Sequence, residues 1–414
     1  MAKQKVGYKE LFKEKNYMLI WFGQSMSNIG DMVYHVGFLW LVYKITQSPF
    51  IASMLILSST APYILFGLVG GAYSDRINRK QIMMVSDILR AVFVLIIPIL
   101  IAFEMLNVWF IGIVSFLLTS IRCFFYPALR ATIPQILSKD KWSVGNAMLQ
   151  MSFQLSRVMG YSIGGLLIAE LSISTVFYVN VGTYLLSFIT LIPLHLREQS
   201  ISQNRLKILE EIIETMKFVR TVPALFWSIM MFGVGLLAIT GVQRLALPVM
   251  SDQFWQLESK GLGYLLAAFG IGNVIGSFII GKLSIRSFEK FIFLGWAMWG
   301  LSFVIVGISE LFVVAAVFGF LAGISEAVID VPQVLLIQHH VTNERLGKVF
   351  SMWSTIAFIG ESGSSLLAGL LIGILGEQMS FIIGSVLLMF IGCIGLGIHF
   401  LYQRKVPVVK GDSY

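Results

Sequence analysis

Nine ionisable side chains stand inside long apolar stretches of the 414-residue chain: the acids Asp31, Asp87, Glu326, Asp330 and Glu361, and the arginines Arg90, Arg122, Arg157 and Arg244. Such groups are costly in hydrocarbon, so they persist where they pair, face water, or handle a proton or ligand. Glu326 and Asp330 are four residues apart, which on a helix puts both on one side, one turn separated. Two carboxylates so close in a low dielectric resist being charged together. A carboxylate that takes up a proton on one side of a membrane and releases it on the other can drive an exchanger. The opposing expectation is that the pair meets Arg122 or Arg157 and locks two parts of the molecule together. Asp31, in Ser27-Asn28-Ile29-Gly30-Asp31, has the small polar neighbours of a cavity wall. Glu361, in Gly360-Glu361-Ser362-Gly363-Ser364-Ser365, suits gating as well as coupling. Arg157 and Arg244 suit either anchoring of an anionic group or pairing with acids.

The elements that position these groups follow from composition. The chain is 57% hydrophobic and 13% charged, where a soluble domain averages about 25% charged residues. Its mean hydropathy is +0.83. This is the composition of an all-α membrane protein, in which a crossing takes about 20 apolar residues. Twelve spans are expected, at 17–43, 50–72, 81–103, 107–130, 142–169, 174–195, 223–249, 261–282, 290–308, 311–336, 347–375 and 379–402. The start MAKQKVGYKELFKEK is polar for too long to be the n-region of a signal peptide.

Lysines and arginines fix the orientation, because inside loops carry them in excess. With the N-terminus inside, 24 of the 30 fall in inside segments, only Lys44 and Lys260 fall outside, and four lie within spans. That alternation requires an even number of spans and both termini on the cytoplasmic side. The net charge of +8 therefore belongs to loops and not to a nucleic-acid surface. The segment 196–222 separates a first bundle, 1–195, from a second, 223–402, with a tail at 403–414. Within it, Arg205 to Phe218 has apolar residues at helical spacing and reads as an amphipathic helix on the cytoplasmic interface. The halves repeat: Gly281-Lys282-Leu283-Ser284-Ile285-Arg286 echoes Gly71-Ala72-Tyr73-Ser74-Asp75-Arg76, and Pro332 to Ser351 echoes Pro127 to Asn146. Two parallel six-span repeats place a substrate site between them, near mid-membrane.

The break between the second and third spans reads Gly70-Gly71-Ala72-Tyr73-Ser74-Asp75-Arg76-Ile77-Asn78-Arg79-Lys80. Its Gly-x-x-x-Asp-Arg-x-x-Arg-Lys pattern resembles the signature loop of the major facilitator superfamily. Asp87-Ile88-Leu89-Arg90, Pro127-Ala128-Leu129-Arg130-Ala131, Gly145-Asn146-Ala147 and Arg345-Leu346-Gly347-Lys348-Val349-Phe350-Ser351 resemble the branch containing macrolide-efflux proteins and enterobactin-type siderophore exporters. Gly160-Tyr161-Ser162-Ile163-Gly164-Gly165 is similar to the antiporter motif Gly-Pro-x-x-Gly-Gly, with Tyr161 in the place of proline. The resemblance implies a twelve-helix fold of two pseudo-symmetric six-helix bundles whose spans 1, 4, 7 and 10 line the cavity. Asp31, Arg122, Arg244, and Glu326 with Asp330 fall on those four spans. It further implies that Gly71, Asp75, Arg76, Arg79 and Lys80 form a gating loop. Asp87 and Arg90 are then that loop's partners, and Gly160, Gly164 and Gly165 pack helices.

The expected activity is secondary active export of a small amphipathic organic compound such as a macrolide, in exchange for protons, by alternating access. The expected actor is a monomer in the inner (cytoplasmic) membrane, with the proton gradient as energy source and no cofactor. A siderophore or metabolite exporter, a lipid flippase and a proton-coupled importer are the alternatives. No H-E-x-x-H, phosphate-binding glycine loop or His/Cys/Asp cluster points to an enzyme. Cys123 and Cys393 lie in apolar runs without metal spacing, and no metal is expected at His339 and His340.

Overall fold

The computed structural model describes residues 8–46, 48–74, 78–196, 208–283, 285, 287–341 and 343–405. Helices carry almost all of them, because a backbone in hydrocarbon must satisfy its own hydrogen bonds. The first group comprises α1 (Lys15–Ile45), α2 (Pro49–Ser58), α3 (Ala61–Ser74), α4 (Arg79–Ala102), α5 (Val108–Ile136), α6 (Trp142–Glu170) and α7 (Ile173–Leu191). A connecting helix, α8 (Ile208–Thr221), leads to the second group. That group is α9 (Pro223–Val249), α10 (Glu258–Lys282), α11 (Phe288–Ile308), α12 (Phe312–His340), α13 (Asn343–Leu375) and α14 (Glu377–Lys405). Among the described residues, ten helical segments are long and apolar enough to cross a membrane. At the positions of the first and fifth expected spans stand α1 and α6, of 31 and 29 residues, which carry more polar side chains.

The second expected span is not one helix. It breaks at Ser59-Thr60, between α2 and α3. Ser58 Oγ bonds the Leu55 carbonyl at 2.6 Å and Ser59 Oγ the Ile56 carbonyl at 2.7 Å, so hydroxyls compete for the helical acceptors. Pro62, just beyond, has no N–H to continue the ladder. The proline of α2, by contrast, sits at the helix start, where a missing N–H costs nothing. Asn78 caps α4, its side chain accepting from the amides of Lys80 (3.0 Å) and Gln81 (3.4 Å).

Packing repeats between the groups. In the first, α1 packs on α6 and α7, α4 on α5 and α7, and α3 on α5. In the second, α9 packs on α13 and α14, α11 on α12 and α14, and α10 on α12. Two seams join the groups, α6 against α10 and α13 against α2. The face where α1 begins is here called the near face. It also gathers the ends of α3, α5 and α7 and the starts of α4 and α6. Glu14 and Lys141 pair across it at 2.7 Å. At the far face the groups touch. Tyr43 donates to Asp252 at 2.6 Å with Lys44 at 3.3 Å, and Lys260 meets Glu170 at 2.5 Å. Gly165 lies so close to α10 that a Cβ there would stand 2.9 Å from the Gly263 Cα.

The connecting helix α8 does more than lie on an interface. Its described side chains put Val219, fully buried, against the near ends of α9 and α13. Arg345 of α13 stacks over Phe218 at 5.0 Å. Glu214, Lys217 and Arg220 face outward.

Candidate functional site

Besides Arg90, at the middle of α4, five of the nine intramembrane ionisable groups lie within two residues of the midpoints of their helices: Asp31 on α1, Arg122 on α5, Arg157 on α6, Glu326 on α12 and Glu361 on α13. The structure draws them into three ion pairs with Arg244. Arg122 approaches Asp31 at 3.8 Å within the first group, and Tyr184 of α7 donates to the other Asp31 oxygen at 2.5 Å. Arg244 holds Glu361 at 2.6 Å within the second group. Arg157 reaches Glu326 at 3.5 Å, and this pair joins the two groups. Of the two arginines expected to meet the Glu326–Asp330 pair, Arg157 is the one that does, while Arg122 meets Asp31. Helix α5 packs on α3 and α4 and faces α1, so its arginine finds the acid of α1.

Glu326 is the most elaborated of these groups. Asn273 of α10 donates to the same carboxylate oxygen at 2.6 Å. Gln154 of α6 donates to the Asn273 side-chain oxygen Oδ1 at 2.6 Å and accepts from Arg157 at 3.4 Å. Four side chains from three helices thus close a ring across the seam. Asp330, one turn nearer the near face, makes no hydrogen bond or ion pair among the described residues. Glu361 does not itself bridge the groups, but its neighbour Ser362 donates to Thr60 at 3.0 Å, at the break between α2 and α3. Beside that contact Tyr63 and Phe358 stack at 4.0 Å between centroids.

Among the described residues, Asp87 and Arg90 meet each other and α7. Asp87 is fully buried, pairs with Arg90, and accepts from Ser187 of α7 at 2.7 Å. The Arg90 guanidinium lies over Phe125 at 4.3 Å and Tyr184 at 4.5 Å. The pair is thus part of the first group's core, one ring away from Asp31. Rotation of α4 turns the pair toward α7, and the expected loop partners Asp75 and Arg76 are not among the described residues. Gly71 is described as backbone of α3 only. Arg79 donates to the Ala131 carbonyl at 2.6 Å and Lys80 to the Ile192 carbonyl at 2.6 Å, tying α4 to the near ends of α5 and α7.

The glycines pack as their spacing suggests. Gly160 and Gly164 lie against Met32, Val33 and Val36 of α1, and Gly165 against Gly263 of α10. Sequence reasoning missed Tyr184, Gln154, Asn273 and His35. The last lies tilted beside Tyr161 at 5.8 Å between ring centroids, and its buried Nδ1 has no hydrogen-bond partner among the described residues. All four are polar residues at mid-helix, which was the available signal. His340 Nδ1 meets its own helix at the Leu336 carbonyl, 3.0 Å away.

The family model described as transmembrane secretion effector matches residues 10–410. The MFS-type transporter YfiS of Bacillus subtilis (strain 168) is 26% identical, over 98% of this chain and 99% of its own length. Macrolide efflux protein A of Streptococcus pyogenes is 24% identical, over 91% of this chain and 94% of its own. In fold, the chain resembles a bacterial homologue of the human lysosomal transporter Spinster, solved inward-facing and unoccupied. The TM-score is 0.70 at 13% identity, covering 94% of this chain and 96% of that one. The chain belongs to the transmembrane secretion effector family of major-facilitator transporters.

Proposed function

We propose that the protein exports amphipathic organic compounds, macrolides among them, from the cytoplasm in exchange for protons. In this reading it is a monomer of twelve crossings in the cytoplasmic membrane, with the near face and both termini inside. The observation that carries the reading is the ring at Glu326. A carboxylate at mid-depth holds Arg157 of the other helix group, and one turn away stands Asp330, which makes no hydrogen bond or ion pair among the described residues. Protonation of Glu326 removes the charge that holds Arg157, so proton occupancy and contact between the groups become one equilibrium. Asp330 is the adjacent group through which a proton or a substrate cation passes toward the near face.

Movement then follows from which contacts hold. With the far-face contacts Tyr43–Asp252 and Lys260–Glu170 formed, the path to the outside is closed and substrate enters from the near face. Rocking of the first group against the second breaks them. A ligand shifts such an equilibrium only by its differential affinity for the two states. The proton supplies that difference on the return.

The test is proton flux in proteoliposomes, read by a pH dye inside. Erythromycin is added to the wild type and to Asp31→Asn, Glu326→Gln and Asp330→Asn. Substrate-driven proton movement lost in one acid variant supports exchange and identifies the coupling group. Substrate movement without proton flux, or flux unchanged in all three variants, refutes it.

A further inference from the structure

Three polar stripes run along the first helix group from the near face to the mid-depth ion pairs. On α1 they are Gln24, Asn28 and Asp31; on α5, Arg130, Tyr126 and Arg122; on α6, Asn146, Gln150, Gln154 and Arg157. Each step is three or four residues, so each stripe keeps to one side of its helix. The lower members converge on one cavity, lined by Gln24, Asn28, Tyr126, Arg130, Asn146 and Gln150. Asn146 and Gln150 are exposed, and an exposed carboxamide on a crossing helix has no partner in acyl chains. The side of α6 that suits lipid is a different one, Met151, Leu155 and Met159, at 56%, 53% and 48% exposure. The amides therefore face water or a ligand.

Their hydrogen-bonding capacity is largely unspent. Asn28 and Gln150 make no hydrogen bond among the described residues. Gln24 and Asn146 each donate once, to Ser187 at 3.2 Å and the Trp142 carbonyl at 2.9 Å. Among the described residues, the hydrogen bond and ring contact of Arg130 are both to Tyr126, 3.5 Å to its hydroxyl and 5.2 Å to its ring. The lining holds no carboxylate. A carboxamide both donates and accepts, so it matches hydroxyls as well as carbonyls. An arginine adds donors to a carbonyl or anionic oxygen.

We propose that this cavity is an entry subsite that binds the hydroxyl- and carbonyl-rich flank of the exported compound before it reaches the Glu326 ring. The subsite rests on the export reading for its direction but not on proton coupling. It makes the protein selective for polyoxygenated amphiphiles over lipophilic cations that carry no hydrogen-bonding group. The lower amides hold the compound by exchangeable bonds, and the stripes repeat the same chemistry at each turn up to mid-depth.

The test is equilibrium binding to the full chain in lipid nanodiscs, without a gradient and with every acid intact. The probes are radiolabelled erythromycin, rich in hydroxyls and carbonyls, and tetraphenylphosphonium, which has neither. The variants are Asn28→Leu with Gln150→Leu, and Arg130→Leu. Losing two neutral hydrogen bonds of about 1 kcal/mol each weakens erythromycin by about tenfold or more. Tetraphenylphosphonium binding, or its failure to bind, is the same in variants and wild type. Parallel loss of both probes would show a general disturbance and overturn the proposal. So would unchanged erythromycin affinity, or a wild type that does not hold erythromycin. Failure of the proton-flux test leaves these outcomes untouched, so the two readings fail separately.

Discussion

Arg157 stands 3.5 Å from Glu326 across the seam between the two helix groups, and Asn273 donates to the same carboxylate oxygen at 2.6 Å. An ion pair at mid-membrane ties two bodies together only while the acid is charged. Removing one partner of a buried pair leaves the other uncompensated and costs more than the pair contributes.

Glu326→Gln is expected to loosen the seam while leaving each group folded. The amide oxygen still accepts from Asn273, but Arg157 loses its counter-charge. Cysteines introduced at Gln154 and Asn273, now 2.6 Å apart through their amides, are expected to cross-link more slowly in Glu326→Gln than in the parent. Equal cross-linking rates would mean that the carboxylate does not hold the seam.

Asp31 is expected to depend on Tyr184 for its position. The phenol donates at 2.5 Å while Arg122 stands off at 3.8 Å, so the hydrogen bond is the tighter restraint. Tyr184→Phe should lower transport several-fold, while Asp31→Asn abolishes it. The measurement is initial uptake rate into inverted vesicles. A Tyr184→Phe variant at the wild-type rate would reduce the phenol to packing.

Asp87→Asn is expected to destabilise the first group by about 3–5 kcal/mol, the cost of breaking a buried pair from one side. Arg90 would remain between Phe125 and Tyr184 without its anion. The double variant Asp87→Leu with Arg90→Leu should recover part of the loss, since no charge is left buried. Thermal unfolding in detergent, followed by tryptophan fluorescence, separates the two. A double variant less stable than Asp87→Asn would point to lost packing as the larger effect.

The repeated helix groups were legible in the sequence because long apolar runs and segregated cations record them directly. So were the mid-depth charges, since a charged residue in a greasy run is conspicuous. Their pairings were not. Which acid Arg122 meets depends on how α5 and α1 are rotated against each other, and hydropathy carries no such information. That Asp87 and Arg90 turn toward Ser187 and Tyr184 of α7 was hidden for the same reason. Gln154, Asn273 and Tyr184 escaped because uncharged polar residues are common in such helices and become informative only when two helices bring them together. The break in the second span was readable, in Ser58-Ser59-Thr60 followed by Pro62, but a count of apolar residues passes over it.

Gly165 and Gly263 set how closely α6 and α10 approach at the far face, with no room for a side chain on either. Gly165→Leu is expected to wedge the seam open there and favour the state open to the outside. Reactivity of a cysteine placed at Ser259, which is buried and donates to the Gly165 carbonyl at 3.2 Å, should rise toward an impermeant thiol reagent. Gly165→Ala, with a smaller wedge, should fall between. A cysteine no more reactive in either variant would show that the seam does not open at this point.

Asp252 closes the same face from the other side, accepting from Tyr43 at 2.6 Å and from Lys44 at 3.3 Å. Lys44 is half-exposed, so its ion pair contributes little, about 0.2–1 kcal/mol. The Tyr43 hydrogen bond to a charged acceptor is worth about 1.5–3 kcal/mol. Asp252→Asn keeps an acceptor but loses the charge, and a shift of about 1 kcal/mol between the two end states changes their ratio about fivefold. Tyr43→Phe should match or exceed that shift, and Lys44→Gln should fall well short of it. Distance distributions between spin labels at Thr46 and Gln256 would report the populations. A larger shift for Lys44→Gln than for Tyr43→Phe would make the ion pair, and not the phenol, the latch, and transport would then slow with added salt, which screens an exposed pair far more than a sheltered hydrogen bond.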